Sequence, residues 1–223
     1  DNVDQNIGRI LSAIKKSGEE NNTLVLFLSD NGSCAESPGG ENNIAHVPGP
    51  KEYYSHVGPS WAYAQNAPFR RYKSRMHEGG IATPLIAYWP GIIPKNSLTN
   101  QVGHIIDFLP TFLEIGNGSY PSKYQGHSIL PTEGMSLLSV LKSPSKTITR
   151  KEPLYWFFSG SRAIREGDWK LVWDKNVKKW ELYNLAEDRT EMHDLAEKKP
   201  VLVKRLRTQW EKWAYKTDVN YNN

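Results

Sequence analysis

The chain has 223 residues, 38% of them hydrophobic and 23% charged, a balance that suits one sizeable folded core and argues against disorder. Its net charge of +4 is mild, and the excess of Lys and Arg after Lys142 is interleaved with acids, which points to a solvated face and away from nucleic-acid binding. The single cysteine, Cys34, excludes an intrachain disulfide framework and any multi-cysteine metal site, and no stretch reaches the length of a transmembrane helix.

Val3, Ile7, Ile10, Leu11 and Ile14 fall on one helical face, and Gly18 is a stop signal, so the first predicted element is an amphipathic helix. Residue 1 already lies at or inside that helix. Sequence upstream of Asp1 is therefore expected, and the lack of a signal-peptide pattern says nothing about destination.

Leu24-Val-Leu-Phe-Leu then predicts a short strand buried on both faces. It stops at Ser29-Asp-Asn-Gly32, which read alone has the composition of a turn. The same residues place two oxygen donors, Asp30 and Asn31, side by side at the carboxyl end of a strand, where α/β sheets carry ligands. A hard divalent cation, Ca²⁺ or less favourably Mg²⁺, takes such donors.

Residues 33–67, rich in proline, glycine and aromatic residues, read as a long irregular segment, either a substrate-facing excursion or a surface insertion. His46 and His56 within it read as loop histidines. In Pro68-Phe-Arg-Arg-Tyr-Lys-Ser-Arg-Met-His-Glu-Gly-Gly80, four cations, Arg70, Arg71, Lys73 and Arg75, precede a Gly-Gly pair and suggest a seat for an anion. Residues 85–89 form a second short apolar strand, bracketed by Pro84, Pro90 and Gly91. Residues 104–115 predict a helix with Asp107 as its cap and Pro110 in its first turn.

After Lys142 the texture changes. Leu154-Tyr-Trp-Phe-Phe158, Arg162-Ala-Ile-Arg165, Trp169-Lys-Leu-Val-Trp173 and Trp180-Glu-Leu-Tyr183 are four short strands with brief connections, which predicts an antiparallel meander. Pro200 opens a helix whose Val203, Leu206, Trp210 and Trp213 form one apolar face suited to covering that sheet, with the aromatic residues as core. The boundary between the two parts is expected within residues 142–151, giving 1–145 and 146–223.

Six pieces in order resemble the carboxyl-terminal half of a sulfatase of the arylsulfatase type, within the alkaline phosphatase superfamily. They are Asn6-Ile-Gly-Arg9, Phe27-Leu-Ser-Asp-Asn-Gly32, Pro68-Phe-Arg-Arg-Tyr-Lys73, His77-Glu-Gly-Gly80, Thr83-Pro-Leu-Ile86 with Trp89-Pro-Gly91, and Arg165-Glu-Gly-Asp-Trp-Lys-Leu171. The resemblance implies an α/β fold: a partial alkaline-phosphatase-like mixed sheet flanked by helices, followed by a small lobe of four-stranded antiparallel sheet covered by a helix. It implies that Asp30 and Asn31 are calcium ligands and that Lys73 contacts the substrate's sulfate as a catalytic and binding residue. His77 stands beside that element without a family role; substrate binding and packing are both open to it.

The resemblance further implies hydrolysis of aryl or carbohydrate sulfate esters, a sulfated small molecule or glycan as partner, and a periplasmic or secreted location. Its nucleophile is a formylglycine made from a Cys-x-Pro-Ser-Arg element. No such element occurs here, and Cys34 is followed by Ala-Glu-Ser. The chain by itself is accordingly expected to be inactive toward sulfate esters. Two other readings remain at this stage: a phosphodiester or phosphonate monoester hydrolase of the same superfamily, since a metal and a lysine serve a phosphoryl group equally well, and a noncatalytic binding module.

Overall fold

The computed structural model describes residues 1–36 and 56–221. His46 lies outside the described residues, so the expectation about it has no structural counterpart here. The chain divides into two compact units, Asp1–Leu28 with Leu85–Lys151, and Ser29–Pro84 with Glu152–Asn223. The chain thus crosses from one unit to the other after Leu28, after Pro84 and after Lys151.

The first unit opens with α1 (Asn2–Lys16), which ends where Gly18 takes a φ of +79°. A 3-10 turn (Glu20–Asn22) leads into β1 (Val25–Leu28), which pairs antiparallel with β2 (Leu85–Tyr88). Tyr88 Oη donates to Glu20 Oε1 at 2.7 Å and Trp89 Nε1 donates to Asn21 O at 3.0 Å, fixing the entry of one strand against the exit of the other. The expectation of a strand buried on both faces is corrected. Phe27 is 46% exposed and Ile86 on β2 is 60% exposed, because among the described residues each strand has only the other as its neighbour and neither face is closed over.

The predicted helix at 104–115 divides into a 3-10 turn (Ile105–Asp107) and an α-helix. Buried Asp107 accepts the backbone N–H groups of His104 and Met135 at 2.8 and 2.9 Å and pairs with Arg150, so its carboxylate ties three segments of this unit together. A two-stranded hairpin and the short helix Leu138–Lys142 complete the unit.

The second unit is built on the meander. β5 (Leu154–Phe158), β6 (Ser161–Glu166), β7 (Trp169–Asp174) and β8 (Lys179–Asn184) pair in sequence order, taking β3 and β4 as the strands of the hairpin (Lys123–Tyr124 and His127–Ser128). Ser159 and Gly160 both have positive φ, the backbone that a two-residue hairpin turn requires to match strand twist. The final helix (Pro200–Lys216) lays Leu206, Trp210 and Ala214 on Ile164, Leu171 and Leu182 of one sheet face, all without exposed surface.

The other sheet face is also covered. Ala163 and Val172, cross-strand partners in register, pack with Met76, Ile81 and Trp156. Because side chains alternate along a strand, Lys170, Val172 and Asp174 on β7 and Glu181 and Tyr183 on β8 share this second face. It lies beneath residues 70–81, the segment that carries Lys73.

Candidate functional site

The turn after β1 is held by its own side chains. Ser29 Oγ donates to Asn31 O at 2.8 Å, Thr83 Oγ1 donates to Ser29 O at 3.0 Å, and the Gly32 N–H donates to Gly80 O at 3.1 Å. Asp30 is exposed and Asn31 half-buried, so the acid and the amide stand at the surface of a fixed turn.

Three glycines allow the backbones here to interlock. A Cβ on Gly32 would lie 1.8 Å from Gly79 O; one on Gly79 would lie 2.3 and 2.5 Å from the carbonyls of Arg71 and Arg70; one on Gly80 would lie 2.0 Å from Arg75 O. No side chain fits at any of the three, so the Gly-Gly element serves close approach and needs no unusual φ. The short helix Glu78–Ile81 is thereby wrapped by residues 70–75 and touched by the 29–33 turn.

Lys73 is delivered to this turn by a backbone bond, its N–H donating to Ser33 O at 3.1 Å. Asn66, the last residue of the helix Gly58–Asn66, clamps the same junction: its Oδ1 accepts the Ser33 N–H at 2.9 Å and its Nδ2 donates to Arg71 O at 3.1 Å. That helix lies inside the segment expected to be irregular, a second correction; Pro59 in its first turn supplies a preset φ that starts it. Ser33 Oγ also bonds Gln65 Oε1 of the helix, and His56 lies just before it, half-buried.

The four cations before Gly79-Gly80 separate into two groups. Arg70 donates to Tyr183 Oη at 2.5 Å and pairs with Glu181 at 3.4 Å, while Arg71 and Arg75 reach Asp174 at 4.0 and 3.6 Å. All three arginines are therefore turned to the carboxylates of the second sheet face. Lys73 alone points elsewhere, its Nζ lying 3.0 Å from Glu36 Oε2 and 3.9 Å from Cys34 Sγ. The hydrogen bond to Glu36 raises the Lys73 ammonium above its ordinary value, with the charges of Cys34, Glu36 and Asp30 acting the same way.

His77 has no exposed surface. Its Nε2 lies 2.7 Å from Glu181 Oε2, and its ring meets Tyr183 edge-on. Burial alone would raise the Glu181 carboxyl, but the His77 hydrogen bond and the Arg70 guanidinium overcome it and hold the group at about 2.

One residue further on, Glu78 is buried against Lys170 Nζ at 2.7 Å; Lys170 also meets Glu191 Oε1 at 2.8 Å, and Glu191 Oε2 accepts the Glu78 backbone N–H at 2.7 Å. Arg189 closes this cluster on Glu78. Burial pushes the fully enclosed Lys170 ammonium down, opposed by the Glu191 charge.

Of the residues singled out in the sequence, the structure brings Asp30, Asn31 and Lys73 to one surface and sets His77 beneath it, in contact with the sheet. Asn66, Lys170, Glu181 and Glu191 carry much of the local geometry, and the sequence did not single them out. For a metal, the donor types of Asp30 and Asn31 fit a hard cation, but among the described residues no group of three or more His, Cys, Asp or Glu side chains is placed so that it could hold a metal ion. Two donors are few against the roughly six to eight oxygens that Ca²⁺ takes.

Comparison with known proteins agrees across both units. The family model described as Sulfatase matches residues 1–119, and that described as N-sulphoglucosamine sulphohydrolase, C-terminal, matches residues 69–216. An uncharacterized sulfatase of Schizosaccharomyces pombe is 30% identical over 97% of this chain and 42% of its own length. The N-acetylglucosamine-6-O-sulfatase of Bacteroides thetaiotaomicron is 29% identical over 86% of this chain and 30% of its own. The crystal structure of Ps i-CgsB in complex with k-i-k-neocarrahexaose superposes with a TM-score of 0.72 at 24% identity, over 98% of this chain and 42% of that one. The chain thus spans well under half the length of each.

Proposed function

The chain belongs to the sulfatase family, and from that premise we propose that the 29–33 turn, residues 70–75 and the helix Glu78–Ile81 form the metal- and anion-binding corner of a sulfate ester hydrolase. The observation that carries this is the interlock at Gly32, Gly79 and Gly80, which holds the Asp30-Asn31 turn and the Lys73 loop as one piece of backbone. In this reading Lys73 holds a nonbridging oxygen of the sulfate and offsets the charge that grows as the S–O bond breaks. Asp30 and Asn31 would provide two oxygen ligands to Ca²⁺, which would supply Lewis-acid stabilisation of negative charge on the sulfate.

The substrate class is an aryl or glycan sulfate, supported by the sugar-sulfate name of one relative and the oligosaccharide complex of a structural neighbour. A formylglycine nucleophile belongs to the same reading and has no counterpart among these 223 residues, so the chain alone does not turn over sulfate esters. A periplasmic or secreted location is part of the proposal too. No helix among the described residues is long and apolar enough to cross a membrane.

Calorimetric titration of the purified chain with CaCl₂ tests the metal assignment. Two ligands predict weak binding, with a dissociation constant on the order of 10⁻³ M, lost when Asp30 and Asn31 are both changed to Ala. Heats that are the same with and without those substitutions would remove both residues from the metal site.

A further inference from the structure

The partner that Lys73 has in this structure is itself informative. Glu36 spans two donors with its two oxygens: Oε2 lies 3.0 Å from Lys73 Nζ, and Oε1 accepts a hydrogen bond from Ser74 Oγ at 2.7 Å. The Cys34 thiol lies 3.6 Å from Oε2. The hydroxyl of Ser74 and then the Lys73 ammonium hold the Glu36 carboxyl below its ordinary value. Neither side chain is buried, with Lys73 34% and Glu36 49% exposed, so the contact opens directly to solvent.

Ser74 has a φ of +71°, a left-handed conformation uncommon for a residue with a side chain, and strain of this kind gathers at ligand clamps. Its backbone is kept there by its neighbours, with the Arg75 N–H donating to Tyr72 O and the Lys73 N–H donating to Ser33 O, both at 3.1 Å. The result is an ammonium and a hydroxyl, on consecutive residues, each bonded to a different oxygen of one anionic group. A sulfate presents pairs of oxygens at a spacing close to that of a carboxylate, and the same two donors fit it.

We propose that Lys73 Nζ and Ser74 Oγ form a two-point oxyanion seat, that Glu36 occupies this seat in the free chain, and that a sulfate group enters by displacing the Glu36 carboxylate. The proposal rests on the reading of Lys73 as the sulfate contact and adds to it a second donor and an internal competitor. Glu36 has a use in such a site. It keeps the ammonium paired until an anion with more acceptor oxygens arrives, and it disfavours weaker carboxylate ligands.

The test is a titration of the full 223-residue chain with sodium sulfate at fixed ionic strength, followed by NMR shifts of residues 72–75. Glu36→Gln removes the competitor and should tighten sulfate binding about two- to fivefold, the range expected for an exposed ion pair. Ser74→Gly suits the left-handed backbone while deleting the hydroxyl, and should weaken binding about two- to tenfold with the melting temperature preserved. Loss of binding in Lys73→Ala, together with unchanged affinity in both Glu36→Gln and Ser74→Gly, would overturn the seat and leave the Lys73 contact standing. Sulfate binding unaffected by Lys73→Ala would overturn the Lys73 contact itself, and the seat with it. Absence of binding in the unaltered chain and in Glu36→Gln alike would also overturn the seat.

Discussion

Replacing Lys170 by Met should cost about 3–5 kcal/mol of stability in urea unfolding, because it leaves buried charge without its partner. Lys170 is fully enclosed between Glu78 and Glu191, at 2.7 and 2.8 Å, and both carboxylates are themselves buried. Methionine fills most of the volume, so the loss measures charge and not a cavity. A triple variant that adds Glu78→Gln and Glu191→Gln should regain much of the stability, since the groups left behind are then neutral. Arg189, which pairs with Glu78, is 46% exposed at its side chain and can turn to water. A loss below about 1 kcal/mol in Lys170→Met would mean that the cluster is solvated, contrary to its burial. The effect should reach the site, because the same cluster anchors the first residue of the helix Glu78–Ile81, whose glycines hold the 70–75 loop.

Trp210→Ala should cost a similar amount, about 3–5 kcal/mol, through lost packing. The ring has no exposed surface and stands 6.2 Å from Phe157, 6.0 Å from Trp213 and 5.0 Å from Tyr221, centroid to centroid. It is also one wall of a four-ring enclosure around the Arg162 guanidinium, which lies 4.9 Å from Trp173, 5.5 Å from Trp180, 5.3 Å from Trp210 and 4.9 Å from Tyr221. Removing this ring opens a void between the last helix and the sheet and withdraws one cation–π partner from a partly desolvated cation. Its Nε1–H donates to Trp156 O at 3.1 Å, so Trp210→Phe should be milder but not neutral. Hydrogen exchange should show protection falling on β5 to β8 together, as expected for one cooperative unit. Protection retained on all four strands would show that the helix is not what stabilises the sheet.

The meander was legible because its period-2 pattern and its turn residues agree. The observed strands extend the expected ones by one residue at most ends, and Ser159-Gly160 makes the brief connection between β5 and β6. The last helix was legible from its apolar spacing, though Ala214 and not Trp213 is fully buried. What escaped was the second sheet face. Alternation in Trp169-Lys-Leu-Val-Trp-Asp174 reads as apolar inside and charged outside, yet Lys170 and Asp174 are buried as deeply as Leu171, because cations and carboxylates from distant segments meet them there. Pattern alone does not reveal such pairing, since the partners lie 92 and 99 residues away in the chain.

At the site, turn chemistry made Asp30 and Asn31 legible and charge made the 70–75 segment stand out. Which of its four cations would be left for a ligand was legible only through the resemblance, which points to Lys73; charge and spacing alone do not separate them, since that depends on the carboxylates of β7 and β8. Asn66 and Ser74 carried no sequence signal at all: one acts through a helix end that proline and glycine concealed, the other through a hydroxyl beside a lysine.

The most direct measurement is the rate of aryl sulfate hydrolysis in a catalytically active protein containing this chain, with and without Lys73→Ala, checked for an unchanged melting temperature. Loss of one preorganised donor to the developing charge predicts a fall in kcat of about 100-fold or more. A kcat unchanged by the substitution would contradict the assignment of Lys73 to the sulfate and, with it, the placing of the site at this turn.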